Sequence, residues 1–207
     1  MAGKDTREKE YKKIIRDNLY NTIESGFVPE LGEHKPGKVR DVHFTVKKVG
    51  DPIIMVASDR VSSFDFILNR LIPFKGRVLN MFAKWAFENS KDIVPNAMID
   101  SPHDNVIIQK YCKNLMVECV VRGYNWGSLA GEYESGQRDF YGEELPDGLL
   151  RYQKLKEPFF TPTTKADEHD LPMTFAEVEK QVGKAMAKKI KDIAIKLYIR
   201  ASELAAK

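Results

Sequence analysis

Ala57-Ser58-Asp59-Arg60-Val61-Ser62-Ser63-Phe64-Asp65 follows directly on the apolar run Ile53-Ile54-Met55-Val56 and runs on toward Ile72-Pro73-Phe74-Lys75-Gly76. An apolar run that opens into two carboxylates, an arginine and several hydroxyls reads as a buried strand delivering a polar ligand loop at its end. The alternative for the loop is a solvated turn in which Asp59 and Arg60 form a surface ion pair. Lys75-Gly76 then begins a helix, where a lysine beside free backbone N–H groups suits an anion.

Upstream of this stretch, Val42, Phe44 and Val46 alternate with polar residues, and Gly50-Asp51-Pro52 closes the run. The pattern predicts a half-buried strand over 39–49, followed by the fully buried strand 53–57. Gly32-Glu-His-Lys-Pro-Gly37-Lys38 has the spacing G-x-x-x-x-G-K, but Val39 follows the lysine and a strand follows the loop. A P-loop needs Ser or Thr there and a helix behind it, so the motif is not a P-loop. It reads either as a surface turn before a hairpin or as a glycine-rich flap over phosphates, with Lys38 and Arg40 to one side.

The remaining elements follow from periodicity. Tyr11, Ile14, Ile15, Leu19 and Ile23 predict a docked helix over 9–23, stopped by Ser25-Gly26, and Val78, Phe82, Trp85 and Ala86 mark a helix within 76–90. Strands are expected at 106–109 and 115–122, with a short helix at 128–135. Thr174-Phe-Ala-Glu177 has the capping-box pattern and opens the clearest helix, which Gly183 divides. Strands followed by helices, without repeats, indicate an α+β fold. The expected organisation is an N-terminal helical extension (1–34), an antiparallel β lobe with one helix (35–122) and an α-rich lobe (123–207).

At 207 residues, 43% hydrophobic and 30% charged, the chain has an ordinary globular composition, and its apolar runs are too short to cross a bilayer. The formal charge of +3 is spread among interleaved acidic and basic residues, which argues against a nucleic-acid partner. Cys112 and Cys119 lie outside any metal-ligand spacing and read as free thiols of a cytoplasmic protein. Arg122, at a strand end, and Ser128, at a helix start, form a pair that can grip a phosphate through a guanidinium fork and a hydroxyl. The hydroxyl-rich run 159–170 ends in an acidic cluster with His169. Taken singly, it reads equally as a capping and turn segment.

Six segments in order, 37–41, 57–65, 72–76, 120–133, 145–149 and 160–170, together resemble the SAICAR synthetases, the phosphoribosylaminoimidazole-succinocarboxamide synthases of purine biosynthesis. The resemblance implies an N-terminal antiparallel sheet like a kinase N-lobe and a second α+β lobe. It implies a ligase that joins L-aspartate to the carboxylate of carboxyaminoimidazole ribonucleotide with ATP and magnesium, through a phosphorylated carboxylate. The implied nucleotide contacts are Gly37, Lys38, Val39 and Arg40 in the glycine-rich loop, with Lys110, Met116 and Glu118 near the adenine. The implied substrate contacts are Asp59, Arg60, Ser62, Gly76, Arg122, Ser128, Lys165 and His169, and the implied catalytic residues are Lys38, Asp65, Lys75 and Asp170.

Family members continue into strands with a Lys-Phe-Glu-Phe-Gly motif, an Asp-Glu pair and a Pro-Asp-Ser-Ser-Arg loop, none of which lies in this sequence. The expectation is therefore a C-terminally shortened member whose magnesium ligands are not identifiable, with Asp167 or Asp170 as substitutes. The two readings are a working ligase and a shortened homologue that binds a ribonucleotide without ligation. An exposed sheet edge implies a homodimer.

Overall fold

A computed structural model describes residues 2–63, 66–165 and 170–206. Packing divides them into two units, Met1–Lys91 with Pro95–Lys113, and Asp92–Val94 with Asn114–Lys207, so the division falls before the second of the expected strands and not after it. The fold is α+β, as expected.

In the first unit, strands β1 (Glu33–Pro36), β2 (Arg40–Phe44) and β3 (Pro52–Ala57), with β4 (Arg60–Ser63) and β5 (Phe66–Leu71), precede helix α2 (Lys75–Glu88) and strands β6 (Met98–His103) and β7 (Val106–Lys110); helix α1 (Ala2–Asp17) comes first. Five strands form one antiparallel sheet in the order β1-β2-β3-β7-β6, and α2 packs against β3, β6 and β7. Of the glycine-rich segment, Glu33–Pro36 forms β1, and residues 37–39 make the turn of the β1–β2 hairpin: Pro36 faces Asp41, and the Gly37 N–H donates to the Arg40 carbonyl at 2.8 Å.

The structure corrects three expectations in this unit. The N-terminal helix ends at Asp17, where the Asn18 side chain caps the Ile14 carbonyl at 2.9 Å, and its residues Tyr11, Ile14 and Ile15 are exposed, so it is not docked. In β2 the buried side chains are the polar Asp41 and His43, while Val42 and Phe44 are only half-buried. The reversal has a local cause: the Gly26 segment lies over that face, its N–H donating to Asp41 Oδ2 at 2.6 Å and its carbonyl 2.9 Å from His43 Nε2. A Cβ on Gly26 would stand 2.5 Å from Val56 Cβ, so only glycine allows the approach. Finally, Arg60–Ser63 is strand and not loop. Ser58 and Asp59 link β3 to the β4–β5 hairpin, in which Arg60 faces Leu71 and Ser62 faces Ile67.

The second unit contains β8 (Val117–Glu118), β9 (Val121–Tyr124), α3 (Ser128–Glu134), the small hairpin β10 (Asp139–Phe140) and β11 (Glu143–Glu144), β12 (Lys154–Phe160), β13 (Thr163–Thr164), α4 (Phe175–Val182) and α5 (Lys184–Ala205). The expected strand over 115–122 is two short strands, β8 paired with β13 and β9 with β12. Leu129, Tyr133, Phe140, Leu155 and Phe159 form one core, and Met173, Val178 and Ala187 form another. The capping box at Thr174 forms with both of its reciprocal bonds, and Gly183, at φ 85°, separates α4 from α5 as predicted. Arg200 of α5 grips Asp92 with a two-pronged fork at 3.0 and 2.7 Å, which ties the short thread Asp92–Val94 into this unit. Among the described residues, no helix is long and apolar enough to cross a membrane.

Candidate functional site

The first unit gathers its predicted site residues around the ends of β3 and α2. Asp59 is buried, and both of its oxygens are used within the fold. Oδ2 accepts the Ile23 N–H and Oδ1 the Gly76 N–H, each at 2.9 Å. The carboxylate thus caps the first turn of α2, where the left-handed Phe74 (φ 65°) provides no side-chain cap. Gly76 is packed into this junction: a Cβ added to it would stand only 2.5 Å from the Ala57 carbonyl oxygen and 2.8 Å from that of Ser58.

Asp59 and Arg60 do not pair with each other. Arg60 forms a fork with Asp41, Nη2 to Oδ1 at 3.0 Å and Nη1 to Oδ2 at 3.2 Å. Its remaining donors go to backbone carbonyls: Nη2 to Gly37 at 3.0 Å, Nε to Lys38 at 3.2 Å and Nη1 to Glu24. A guanidinium has five N–H donors, and all five are occupied. Burial of Asp41 pushes its carboxyl pKa up, but the Arg60 guanidinium and the Gly26 N–H outweigh it and hold the group below the ordinary 3.8. His34 Nε2 lies 3.4 Å from the same carboxylate.

Lys75 is half-buried beside this cluster. Burial lowers its pKa, Asp59 opposes that shift, and the charges of Arg40 and Arg60 add to it. A partly desolvated ammonium set among other cations is a favourable place for phosphate oxygens. Lys38 and Gly37 are exposed at the hairpin turn, with Val39 and Arg40 half-buried behind them. The Val39 carbonyl accepts both the N–H and the hydroxyl of Ser58, at 3.1 and 3.0 Å. Ser62 is half-buried in β4, and exposed Lys110 closes β7. Asp65 and His169 lie outside the described residues, as does Asp167.

The second unit carries two clusters. Arg122, on β9, reaches Thr161 Oγ1 at 3.3 Å, Ser128 Oγ at 3.4 Å and the Trp126 carbonyl at 3.5 Å. These contacts are long and engage only three of its five donors, so the fork stays open beside an exposed serine hydroxyl. Gly127, at φ 67°, makes the turn between them, and Trp126 stacks on Tyr152 with ring centroids 4.6 Å apart. Arg122 and Ser128 are thus brought together as the sequence predicts, and buried Thr161 is a third member.

In the other cluster Lys165 pairs with Glu118 and lies 3.9 Å from Asp170. Three residues with separate expected roles therefore share one ion-pair group. Met116, at φ 58°, offers a carbonyl that accepts the Lys165 N–H at 3.2 Å and the Gln181 side chain at 3.0 Å. Among the described residues, no three His, Cys, Asp or Glu side chains converge as a metal site. With Glu118 and Asp170 both turned toward Lys165, these residues do not fit a magnesium cage.

Asp41 and Thr161 are the partners that residue-by-residue reading missed. Both sit inside the six ordered segments, at the end of 37–41 and the start of 160–170, which was the available signal.

A family model for SAICAR synthetase matches residues 33–207. The chain is 44% identical over 169 residues to the chloroplastic phosphoribosylaminoimidazole-succinocarboxamide synthase of Vigna aconitifolia, covering 80% of this chain and 47% of that protein. Among solved structures, the SAICAR synthase of Saccharomyces cerevisiae complexed with SAICAR superposes with a TM-score of 0.78 at 27% identity, over 89% of this chain and 67% of that one. A type-2 SAICAR synthetase in complex with ADP shares the fold with a TM-score of 0.69 at 22% identity, over 84% and 69% of the two chains. The chain belongs to the SAICAR synthetase family. It spans about half the length of the plant enzyme it matches.

Proposed function

We propose that this chain acts in the ligation of L-aspartate to carboxyaminoimidazole ribonucleotide with consumption of ATP. The open Arg122 fork beside Ser128 carries the reading, because it offers a phosphate monoester two directed N–H donors and a neighbouring exposed hydroxyl. Its place within the family match supports the same assignment.

A carboxylate is a poor electrophile. In the proposed reaction its oxygen takes the γ-phosphoryl group of ATP and ADP leaves. The amine of aspartate then attacks the carbonyl carbon, loses a proton and displaces inorganic phosphate as the amide bond forms. In this scheme Gly37–Arg40 and Lys75 face the nucleotide phosphates, while Arg122 and Ser128 hold the ribonucleotide phosphate and buried Thr161 orients the guanidinium. Lys165 and Asp170 work on the side of the reacting groups. Asp59 and Arg60 contribute by holding backbone in place. Magnesium, as in other ATP-dependent reactions, would screen phosphate charge when bound.

The test is ADP release by the purified chain that requires both aspartate and the carboxylated ribonucleotide. Release without aspartate, or no release from folded protein, refutes the ligase reading. We also propose a homodimer formed along an open edge of the five-stranded sheet, β1 or β6. A monomer mass in light scattering refutes it. Free Cys112 and Cys119 favour a reducing compartment, such as the cytoplasm.

A further inference from the structure

Arg60 and Asp41 carry an inference that rests on the nucleotide reading of the hairpin and goes beyond it. We propose that Arg60, anchored by Asp41, is a positioning residue that fixes the Gly37–Arg40 turn in its anion-receiving conformation, and that it makes no contact with ligand itself.

Both Asp41 oxygens and the carbonyls of Gly37, Lys38 and Glu24 occupy the whole Arg60 guanidinium, so nothing on it is left to reach a substrate. These bonds also set the direction of the backbone in the turn. In a planar trans peptide, C=O and N–H point in opposite directions. The Gly37 carbonyl shares its peptide with the Lys38 N–H, and the Lys38 carbonyl shares its peptide with the Val39 N–H. Because both carbonyls are turned toward Arg60, the two successive N–H groups are turned away from it, side by side. Consecutive backbone N–H groups aimed in one direction form an anion-binding concavity.

The anchor is buried. The Arg60 side chain is only 12% exposed and Asp41 1%, and Asp41 also holds the Gly26 N–H at 2.6 Å. The turn belongs to an edge hairpin, where backbone groups without such a partner would exchange with water. One guanidinium therefore joins β4, the hairpin turn and the 24–26 segment, and its charge is balanced by Asp41.

Arg60→Lys and Asp41→Asn test this. A lysine keeps the charge but offers at most three donors without the planar fork, and asparagine keeps the shape of Asp41 with one acceptor oxygen. Amide hydrogen exchange followed by mass spectrometry reports on the turn, and calorimetry measures Kd for ADP and for aminoimidazole ribonucleotide. In both variants, exchange in peptides covering 36–41 is expected to accelerate about tenfold while peptides from β3 and β7 keep their wild-type rates. The Kd for ADP should rise about tenfold, and that for the ribonucleotide should change less than about twofold.

Wild-type exchange at the turn, or wild-type ADP affinity in Arg60→Lys, overturns the positioning role alone. Loss of ribonucleotide affinity with ADP affinity intact makes Arg60 a substrate contact and also overturns it. Wild-type protein that binds no ADP overturns the nucleotide reading of the hairpin, and the positioning role falls with it.

Discussion

Replacing Asp59 by alanine removes the acceptor for two backbone N–H groups at once. The one on Gly76 is fully buried at the first turn of α2, and the one on Ile23 is partly buried. An orphaned buried donor costs about 1–3 kcal/mol. Taking the upper part of that range for Gly76 and the lower part for Ile23 gives a loss of about 3 kcal/mol. In a chain of this length, about 2–4 °C of melting temperature accompanies each kcal/mol, so the midpoint should fall by about 6–12 °C. Asp59→Asn should lie between, because its carbonyl can serve one N–H while its amide meets the other donor to donor. Thermal unfolding followed by far-UV circular dichroism measures all three proteins. If Asp59 faced the substrate, both variants would melt with wild type and lose only ligand affinity, and that outcome would refute the capping role.

Gly76→Ala is expected to destabilise at least as strongly, since its Cβ would meet backbone carbonyls at 2.5 and 2.8 Å that no rotamer change can move; a midpoint within about 2 °C of wild type by the same method would contradict the packing described. Arg122→Ala should weaken ribonucleotide binding by about 2 kcal/mol, or roughly thirtyfold in Kd, and leave the melting temperature nearly unchanged, because its contacts within the fold are long. Calorimetry with equal affinity in wild type and variant would remove Arg122 from the site. The lowered Asp41 pKa implies stability that is complete above the unfolded value of about 3.8 and is lost as pH falls through the lower folded value. Asp41→Asn should flatten that acid limb in urea titrations between about pH 5 and pH 2, and an unchanged limb would show that Asp41 is not its source.

Much of the fold was legible because the strongest signals were local. The capping box at Thr174, the break at Gly183 and the apolar run before Ala57 each depend on a few neighbouring residues, and each stands where the pattern put it. The failures came where a distant segment decided the outcome. Alternation in β2 pointed Val42 and Phe44 inward, but the Gly26 segment brings hydrogen-bond partners to Asp41 and His43 and buries those instead. Strand β12 gave no clear pattern, since charged residues and Pro158 interrupt it and its register slips between Lys154 and Phe159.

The same division runs through the site. Arg122 and Ser128 lie six residues apart around one glycine turn, and spacing alone paired them. Arg60 looked equivalent to Arg122 as a bare residue type. The two differ only in how many of their donors the surrounding backbone consumes, and spacing does not reveal that.

The thread Asp92–Val94 has a practical consequence for dissecting this protein. Because those three residues belong to the second unit while their neighbours on both sides belong to the first, the polypeptide passes between the units at three points. A protease nick after Lys113 would leave Asp92–Val94 attached to the N-terminal fragment, still carrying the carboxylate that Arg200 grips. That exposed ion pair, worth at most about 1 kcal/mol and screened by salt, would not by itself hold the two fragments together. Expressing either half alone requires deciding which of them keeps those three residues.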